Sequence, residues 1–215
     1  MKPIRFNHPD KEGPSLEGIL HLPDGAGPFP GAVVCHPHPQ FGGSMDVPLV
    51  VALAKGLAAA GWASLRFNFR GVGASQGTFD DGVGEAEDVE AALAYLAAQP
   101  SVRPTGLAVV GYSFGAWVGL EAACQTPSVS AVAAVALPMW RMPEGWLDGC
   151  ALPKLFIAGD RDTVCPAREL QEWACTLSGP TEIAVLTRAD HYLAHREPHI
   201  VKEVVRFLHD SAKST

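Results

Sequence analysis

Short apolar runs rich in β-branched residues alternate with helix-length segments along most of this chain, and that alternation restricts the fold more than any other feature. GAVVCH at 31–36 is a run of the kind expected for a strand buried on both faces. WASLRFNF at 62–69 alternates apolar and polar residues and reads as a strand. LEGILHLP at 16–23 reads as an early strand, and GLAVVGYS, SAVAAVALP, KLFIAGD and TEIAVLT supply later ones. Helices lie between them. VPLVVALAKGLAAA at 47–60 is one, with Gly61 as its stop. EAEDVEAALAYLAAQ at 85–99 is a second, and its Glu85, Glu87 and Asp88 suit the positive end of the helix dipole. FGAWVGLEAAC, PARELQEWAC and HIVKEVVRFLHD complete the set. Strands separated by helices imply right-handed crossovers and a mostly parallel sheet of about seven to eight strands, with helices on both faces. The first strands are joined by turns without helices, which leaves them free to pair antiparallel at one edge. The expected class is α/β. No linker, repeat or low-complexity tract interrupts the pattern, so residues 1–215 are expected to form one domain.

Composition narrows the possibilities. The chain has 215 residues, 47% hydrophobic and 18% charged, which describes a globular protein. A domain of this size buries enough surface to need no metal or disulfide staple. Lys and Arg number 16 against 23 Asp and Glu, a net charge of −7, which argues against a nucleic-acid or anionic-membrane surface. The opening MKPIRFNHPDKEGP lacks the apolar core of a signal peptide, and VSAVAAVALPMW is too short to span a bilayer. A cytoplasmic protein without a membrane span is expected. Cys35, Cys124, Cys150, Cys165 and Cys175 are odd in number and scattered, with no CxxC pair, so reduced thiols are expected rather than a disulfide framework. Cys35 ends a buried run and reads as inert core; Cys165 reads as accessible.

The sharpest local signal is Gly111-Tyr112-Ser113-Phe114-Gly115, a G-x-S-x-G pattern that follows an apolar run and opens a helix. In that context the turn presents the Ser113 side chain at the carboxyl edge of the sheet, and the glycines let neighbouring backbone come close. A glycine-rich turn with an ordinary helix-capping serine is the competing reading.

The segments HPHPQFGG, RFNFRGVGASQG, GYSFG, GDRDTVCP and ADHYL occur in that order. With them the sequence resembles the α/β-hydrolase superfamily, and more narrowly the small single-domain bacterial serine hydrolases related to dienelactone hydrolases and acyl esterases. The resemblance covers nearly the whole chain and implies the α/β-hydrolase fold. A serine hydroxyl needs a base to take its proton and an acid to orient that base, and in this fold the chain order is Ser, acid, His. KLFIAGDRDTVCP offers Asp160 and Asp162. The family pattern, close to GDxDxxVP, maps the working acid onto Asp162, with Cys165 where the family often has Val. Asp160 is the alternative, and suits hydrogen bonding to the backbone of its own loop. His191 is the first histidine after the TEIAVLT run and the candidate base. His195 and His199 read as surface residues, and Asp190 as a solvated loop carboxylate.

An oxyanion needs preorganised N–H donors. The elbow offers the backbone N–H of Tyr112 or Phe114, and the rule that the residue after the nucleophile donates selects Phe114. In His36-Pro37-His38-Pro39-Gln40 the prolines have no N–H, leaving His38 as the donor in the place that follows the family's usual His-Gly. His36-x-His38 and His191-x₃-His195 also have metal-ligand spacing. However, HYLAH lacks the Glu of HExxH and no carboxylate cluster joins it, so no metal is expected and His36 reads as a satisfied loop histidine. Gly71-Val72-Gly73-Ala74-Ser75-Gln76-Gly77 has the wrong spacing and place for a dinucleotide fingerprint. In the family this stretch is a structural loop, braced here by Arg70. No cofactor is called for.

MWRMPEGWLDGCALP, where related enzymes insert a lid, is too short for a cap domain. Its Met139, Trp140, Met142 and Trp146 either wall a shallow apolar pocket, together with Phe41 and Tyr112, or pack the loop onto the body. The resulting expectation is a capless serine hydrolase. It cleaves a carboxylic ester or thioester of a small or medium acyl or aryl substrate through an acyl-enzyme. The rivals are a peptidase or C–C bond hydrolase with the same triad, and a non-catalytic binding protein on the same fold. The sequence leaves the oligomeric state open.

Overall fold

The computed structural model describes residues 1–8, 12–142 and 145–213. Eight strands form one sheet: β1 (Lys2–Phe6), β2 (Leu16–His21), β3 (Gly31–Cys35), β4 (Ala63–Phe67), β5 (Leu107–Tyr112), β6 (Val129–Val135), β7 (Lys154–Gly159) and β8 (Thr181–Leu186). Five α-helices join them: α1 (Pro48–Ala59), α2 (Val83–Ala97), α3 (Phe114–Gln125), α4 (Ala167–Ala174) and α5 (Glu197–Lys213). The sheet order is β1-β2-β4-β3-β5-β6-β7-β8. β1 and β2 pair antiparallel at one edge, and β2 meets β4 antiparallel; the other pairings are parallel. β1 is an exposed edge strand that admits Pro3, as edges do.

The period of two along each central strand explains why these runs are apolar throughout. Ala32, Val34, Ala108, Val110, Leu155 and Ile157 face α1 and α5. Val33, Cys35, Leu107, Val109, Phe156 and Ala158 face α2, α3 and α4. Both faces are covered, so neither parity tolerates exposed polar side chains.

β4 departs from the expected alternation in meaning. Its polar positions are as buried as its apolar ones. Ser64 Oγ donates to Ala54 O at 2.7 Å. Arg66 reaches Met45 O at 2.7 Å, the Asp46 carboxylate at 2.6 Å and His21 Nε2 at 3.3 Å. Asn68, just beyond the strand, accepts from Met45 N at 2.7 Å and donates to Glu17 at 2.7 Å. The polar parity therefore anchors the loop ahead of α1 instead of facing water.

Two expectations for cysteine are corrected. Cys124, at the end of α3, and Cys150, ahead of β7, form a disulfide, with Cα atoms 5.4 Å apart across 26 residues of sequence. Scattered spacing hid the pair because tertiary folding alone brings them together. Cys165 is buried, and burial pushes its thiol up to about 12. Cys35 is buried core, its thiol likewise pushed up by burial.

The chain winds outward from β3 to β4 and then returns to place β5 on the other side of β3. The loops after β3 and β5 thus diverge at the carboxyl edge of the sheet, and such a switch point opens a crevice.

Candidate active site

Ser113 sits in that crevice, between the end of β5 and the first turn of α3. Its φ of 53° and ψ of −116° are far from either neighbouring element. Its N–H donates to Val135 O at 2.8 Å, and its carbonyl accepts from Ala116 at 2.9 Å and Trp117 at 3.2 Å. A Cβ on Gly111 would collide with the Gly115 carbonyl, and one on Gly115 would collide with the backbone oxygens of His36 and Cys35. Both glycines are thus required by backbone-to-backbone contact, which is how the turn can be so tight.

The loop after β8 carries His191. Tyr112 Oη donates to the His191 carbonyl at 3.0 Å and fixes that loop against the elbow. Ser113 Oγ lies 2.9 Å from His191 Nε2. His191 Nδ1 lies 2.9 Å from Asp162 Oδ2 and 3.1 Å from Oδ1. Asp162 Oδ1 also accepts from Val164 N and Cys165 N, each at 2.8 Å. Burial pushes the Asp162 carboxyl up, but hydrogen bonds from His191 and these N–H groups outweigh it and hold the group below the ordinary carboxylate range. An ionised carboxylate only accepts, so the proton lies on Nδ1 and the Nε2 lone pair faces the Ser113 hydroxyl. That is the protonation pattern a base needs beside a nucleophile.

Asp160 is exposed, and the carboxylate that meets His191 Nδ1 is that of Asp162. Asp160 accepts from Ala189 N at 3.2 Å, so it ties the β7 loop to the β8 loop rather than bonding within its own loop. Asp190 accepts from Tyr192 N at 3.1 Å, and His195 and His199 are exposed.

The loop after β3 is equally constrained. His36 is fully buried; Nδ1 donates to Pro37 O at 2.6 Å and Nε2 accepts from Phe69 N at 3.1 Å. Burial pushes its imidazole down to about 4, over the opposing hydrogen bond to Pro37. The His38 carbonyl accepts from Phe41 N at 3.1 Å and Gly43 N at 3.0 Å, and its ring accepts from Gln40 N at 3.2 Å. These bonds occupy the neighbouring N–H groups. At the elbow, the first N–H groups of α3, including that of Phe114, have no acceptor within the helix.

Arg70 braces the glycine-rich loop after β4 through α2. It donates to Asp88 at 2.8 and 3.0 Å and to Glu87 at 3.2 Å, and Asp88 also accepts from Arg70 N.

A cleft of about 610 Å³ opens over Ser113 and His191. Phe41, Tyr112 and Trp140 line it, as do His38 and Phe114. Met139 and Met142 correct the expectation: they turn inward and pack against the core, as Trp146 does. Met139 N donates to Val164 O at 3.0 Å, which draws the loop onto the body, while Trp140 stays exposed. Trp117, Arg141, Tyr192 and Glu197 also line the cleft, and no sequence motif marks them. Trp117 was the most accessible to inference, standing one helical turn after Ser113.

A family model described as X-Pro dipeptidyl-peptidase (S15 family) matches residues 8–174. The chain belongs to the S15 family. An uncharacterized protein of Rickettsia prowazekii is 32% identical to this S15 member over 187 residues, covering 83% of this chain and 78% of that protein. An α/β serine hydrolase homologue from Coxiella burnetii superposes with a TM-score of 0.83 at 33% identity, covering 95% of this chain and 96% of the other. A lid-less α/β serine hydrolase from Xanthomonas campestris superposes with a TM-score of 0.80 at 30% identity, covering 99% and 94%. The chain thus belongs to the α/β serine hydrolase family and shares the fold of members that lack a lid. The segment after β6 agrees with this: its described residues hold one short 3-10 turn, Met139–Arg141.

Proposed function

We propose that this protein is a serine hydrolase, a single domain that cleaves carboxylic esters or thioesters of small or medium acyl or aryl groups through an acyl-enzyme. The observation that carries the reading is the continuous line from Ser113 Oγ to His191 Nε2 at 2.9 Å and from His191 Nδ1 to Asp162 Oδ2 at 2.9 Å, at the floor of an apolar cleft. Ser113 attacks the carbonyl carbon. His191 takes the hydroxyl proton at Nε2 and returns it to the leaving oxygen or sulfur. Asp162 holds the imidazole tautomer and stabilises the imidazolium. The backbone N–H groups of Phe114 and His38 receive the oxyanion, and two such donors are each worth about 3–4 kcal/mol in comparable sites. Water activated by His191 then releases the acid.

Peptide cleavage is the second reading, favoured by the family's description. An X-Pro dipeptide carries an α-ammonium that needs a carboxylate partner, whereas an ester does not. The cleft offers Glu197 for that task, and Arg141 opposes it. A panel of acetyl and butyryl esters, a thioester and an X-Pro p-nitroanilide separates the two.

A fluorophosphonate probe tests the mechanism. Labelling on Ser113, lost in Ser113→Ala, is expected, with turnover falling on the order of a millionfold. Absence of labelling in folded protein overturns the serine mechanism and favours a binding protein.

A further inference from the structure

Three large aromatic side chains stand exposed on three separate loops, and all three border the same cleft. Phe41 follows β3 and is 84% exposed, Trp140 follows β6 and is 68% exposed, and Tyr192 follows β8 and is 79% exposed. A single exposed apolar side chain is ordinary, but rings converging on one opening form a patch that marks a contact surface.

Trp140 is not left free. The Arg141 guanidinium carbon lies over the Trp140 ring at 4.5 Å from its centroid and over the Trp117 ring at 4.6 Å. Both distances are within cation–π range. Arg141 Nη2 is held in turn by Asp81 Oδ1 at 2.8 Å, ahead of α2. Trp117 belongs to α3, the helix that begins at Ser113. An outward indole is thereby tied to the helix that carries the elbow. Inside the cleft the ring surface continues: Phe114 lies 5.6 Å from Trp117 and 5.0 Å from His38 between ring centroids.

A wall needed only for burial is supplied as well by Leu or Met. A fixed array of ring faces rewards a flat partner, since aromatic pairs gain about 0.5–1.5 kcal/mol beyond their buried area. We infer that the Trp117–Arg141–Trp140 stack makes the cleft selective for substrates that present a flat aromatic group at its mouth. This rests on the hydrolase reading above and names the substrate class of that site.

Binding to the Ser113→Ala protein provides the test, because it needs no turnover. Methyl 2-naphthoate and 2-naphthyl acetate are compared by calorimetry with alkyl esters of matched apolar area. At least one naphthyl ester is expected to bind about two- to tenfold more tightly than its alkyl match. Adding Trp140→Leu, which keeps apolar bulk without a ring, is expected to bring that ratio close to one. Arg141→Lys, which keeps charge without a planar face, is expected to do the same. The absence of a naphthyl preference in the parent overturns the inference. So does equal weakening of both ester classes in the variants, which reports mere burial. Failure of the hydrolase reading appears elsewhere, as absent labelling and turnover in the unmodified protein, and leaves this binding ratio readable.

Discussion

Asp162 Oδ2 lies 2.9 Å from His191 Nδ1, and the same carboxylate is clamped through Oδ1 by the N–H groups of Val164 and Cys165. The two backbone donors can be satisfied only by an oxygen. In Asp162→Asn the amide oxygen must therefore take the Oδ1 place, and the NH₂ turns toward His191. Nδ1 must then accept, which moves the ring proton to Nε2 and aims it at Ser113. Ester turnover is expected to fall by about four orders of magnitude, as when the acid of a serine protease triad is amidated. Thermal melting should shift little, because the loop keeps both backbone bonds. Near-normal turnover in a folded Asp162→Asn protein would place the acid elsewhere.

Ser113 holds φ at 53° and ψ at −116° so that its hydroxyl can face His191. Such a conformation costs a non-glycine residue about 1–3 kcal/mol. Glycine accepts it freely but loses about 0.5–1 kcal/mol more chain entropy on folding. Ser113→Gly is expected to exceed Ser113→Ala in stability by roughly 1 kcal/mol, with both inactive. Urea midpoints of the two variants check this, since neither carries the hydroxyl. A Gly variant no more stable than the Ala variant would mean that the elbow stores no strain.

His21 and His36 are both buried, and burial is the largest cause that pushes each down to about 4 from 6.5. In the unfolded chain both take protons as pH falls through 6.5; in the folded protein they stay neutral until about 4. The unfolded state thus binds more protons in that window, so stability is full above 6.5 and is lost as pH falls toward 4. Each histidine contributes a slope of about 1.4 kcal/mol per pH unit, or about 2.7 for the pair. Urea unfolding between pH 7.5 and pH 4.5 (roughly this window) should show that slope. His36→Gln can still donate to Pro37 O and accept from Phe69 N, and it should reduce the slope by about half. An unchanged slope would mean that His36 titrates alike folded and unfolded.

The strand–helix alternation made the sheet and its layers legible, because period-two burial on both faces leaves uninterrupted apolar runs. The elbow was legible for a different reason: Gly111 and Gly115 are fixed by local backbone contact, and local constraints leave local patterns. The features that could not be read depend on distant segments. WASLRFNF alternates apolar and polar residues, yet Arg66 and Asn68 are buried against a loop more than 20 residues earlier in the chain. Met139, Trp140 and Met142 are all large side chains in one short segment, and their division between core and cleft is set by long-range contacts such as the bond from Met139 N to Val164 O. Arg141 carried no motif; its place follows from Trp117 and Asp81, which other elements supply.

The Cys124–Cys150 link was hidden for the same reason, and it has a measurable consequence. It joins the end of α3, the helix that starts at Ser113, to the segment that follows the Trp140 rim. Lys154 secures the same place by donating to the carbonyls of Cys150, Leu152 and Ser178 at 2.5, 2.8 and 2.8 Å. Closing a 26-residue loop restricts the unfolded chain by about 3.5 kcal/mol in the entropic account. Reduction, or Cys124→Ser with Cys150→Ser, is therefore expected to lower unfolding stability by up to about 3 kcal/mol. Because Lys154 still pins the loop through three backbone carbonyls, the reduced protein should stay folded and keep fluorophosphonate labelling at Ser113. Urea unfolding with and without reductant, together with thiol counting by mass spectrometry, reads both effects. Five free thiols in protein purified without reductant, with no shift on adding it, would mean that the pair stays reduced and that packing alone holds the segment.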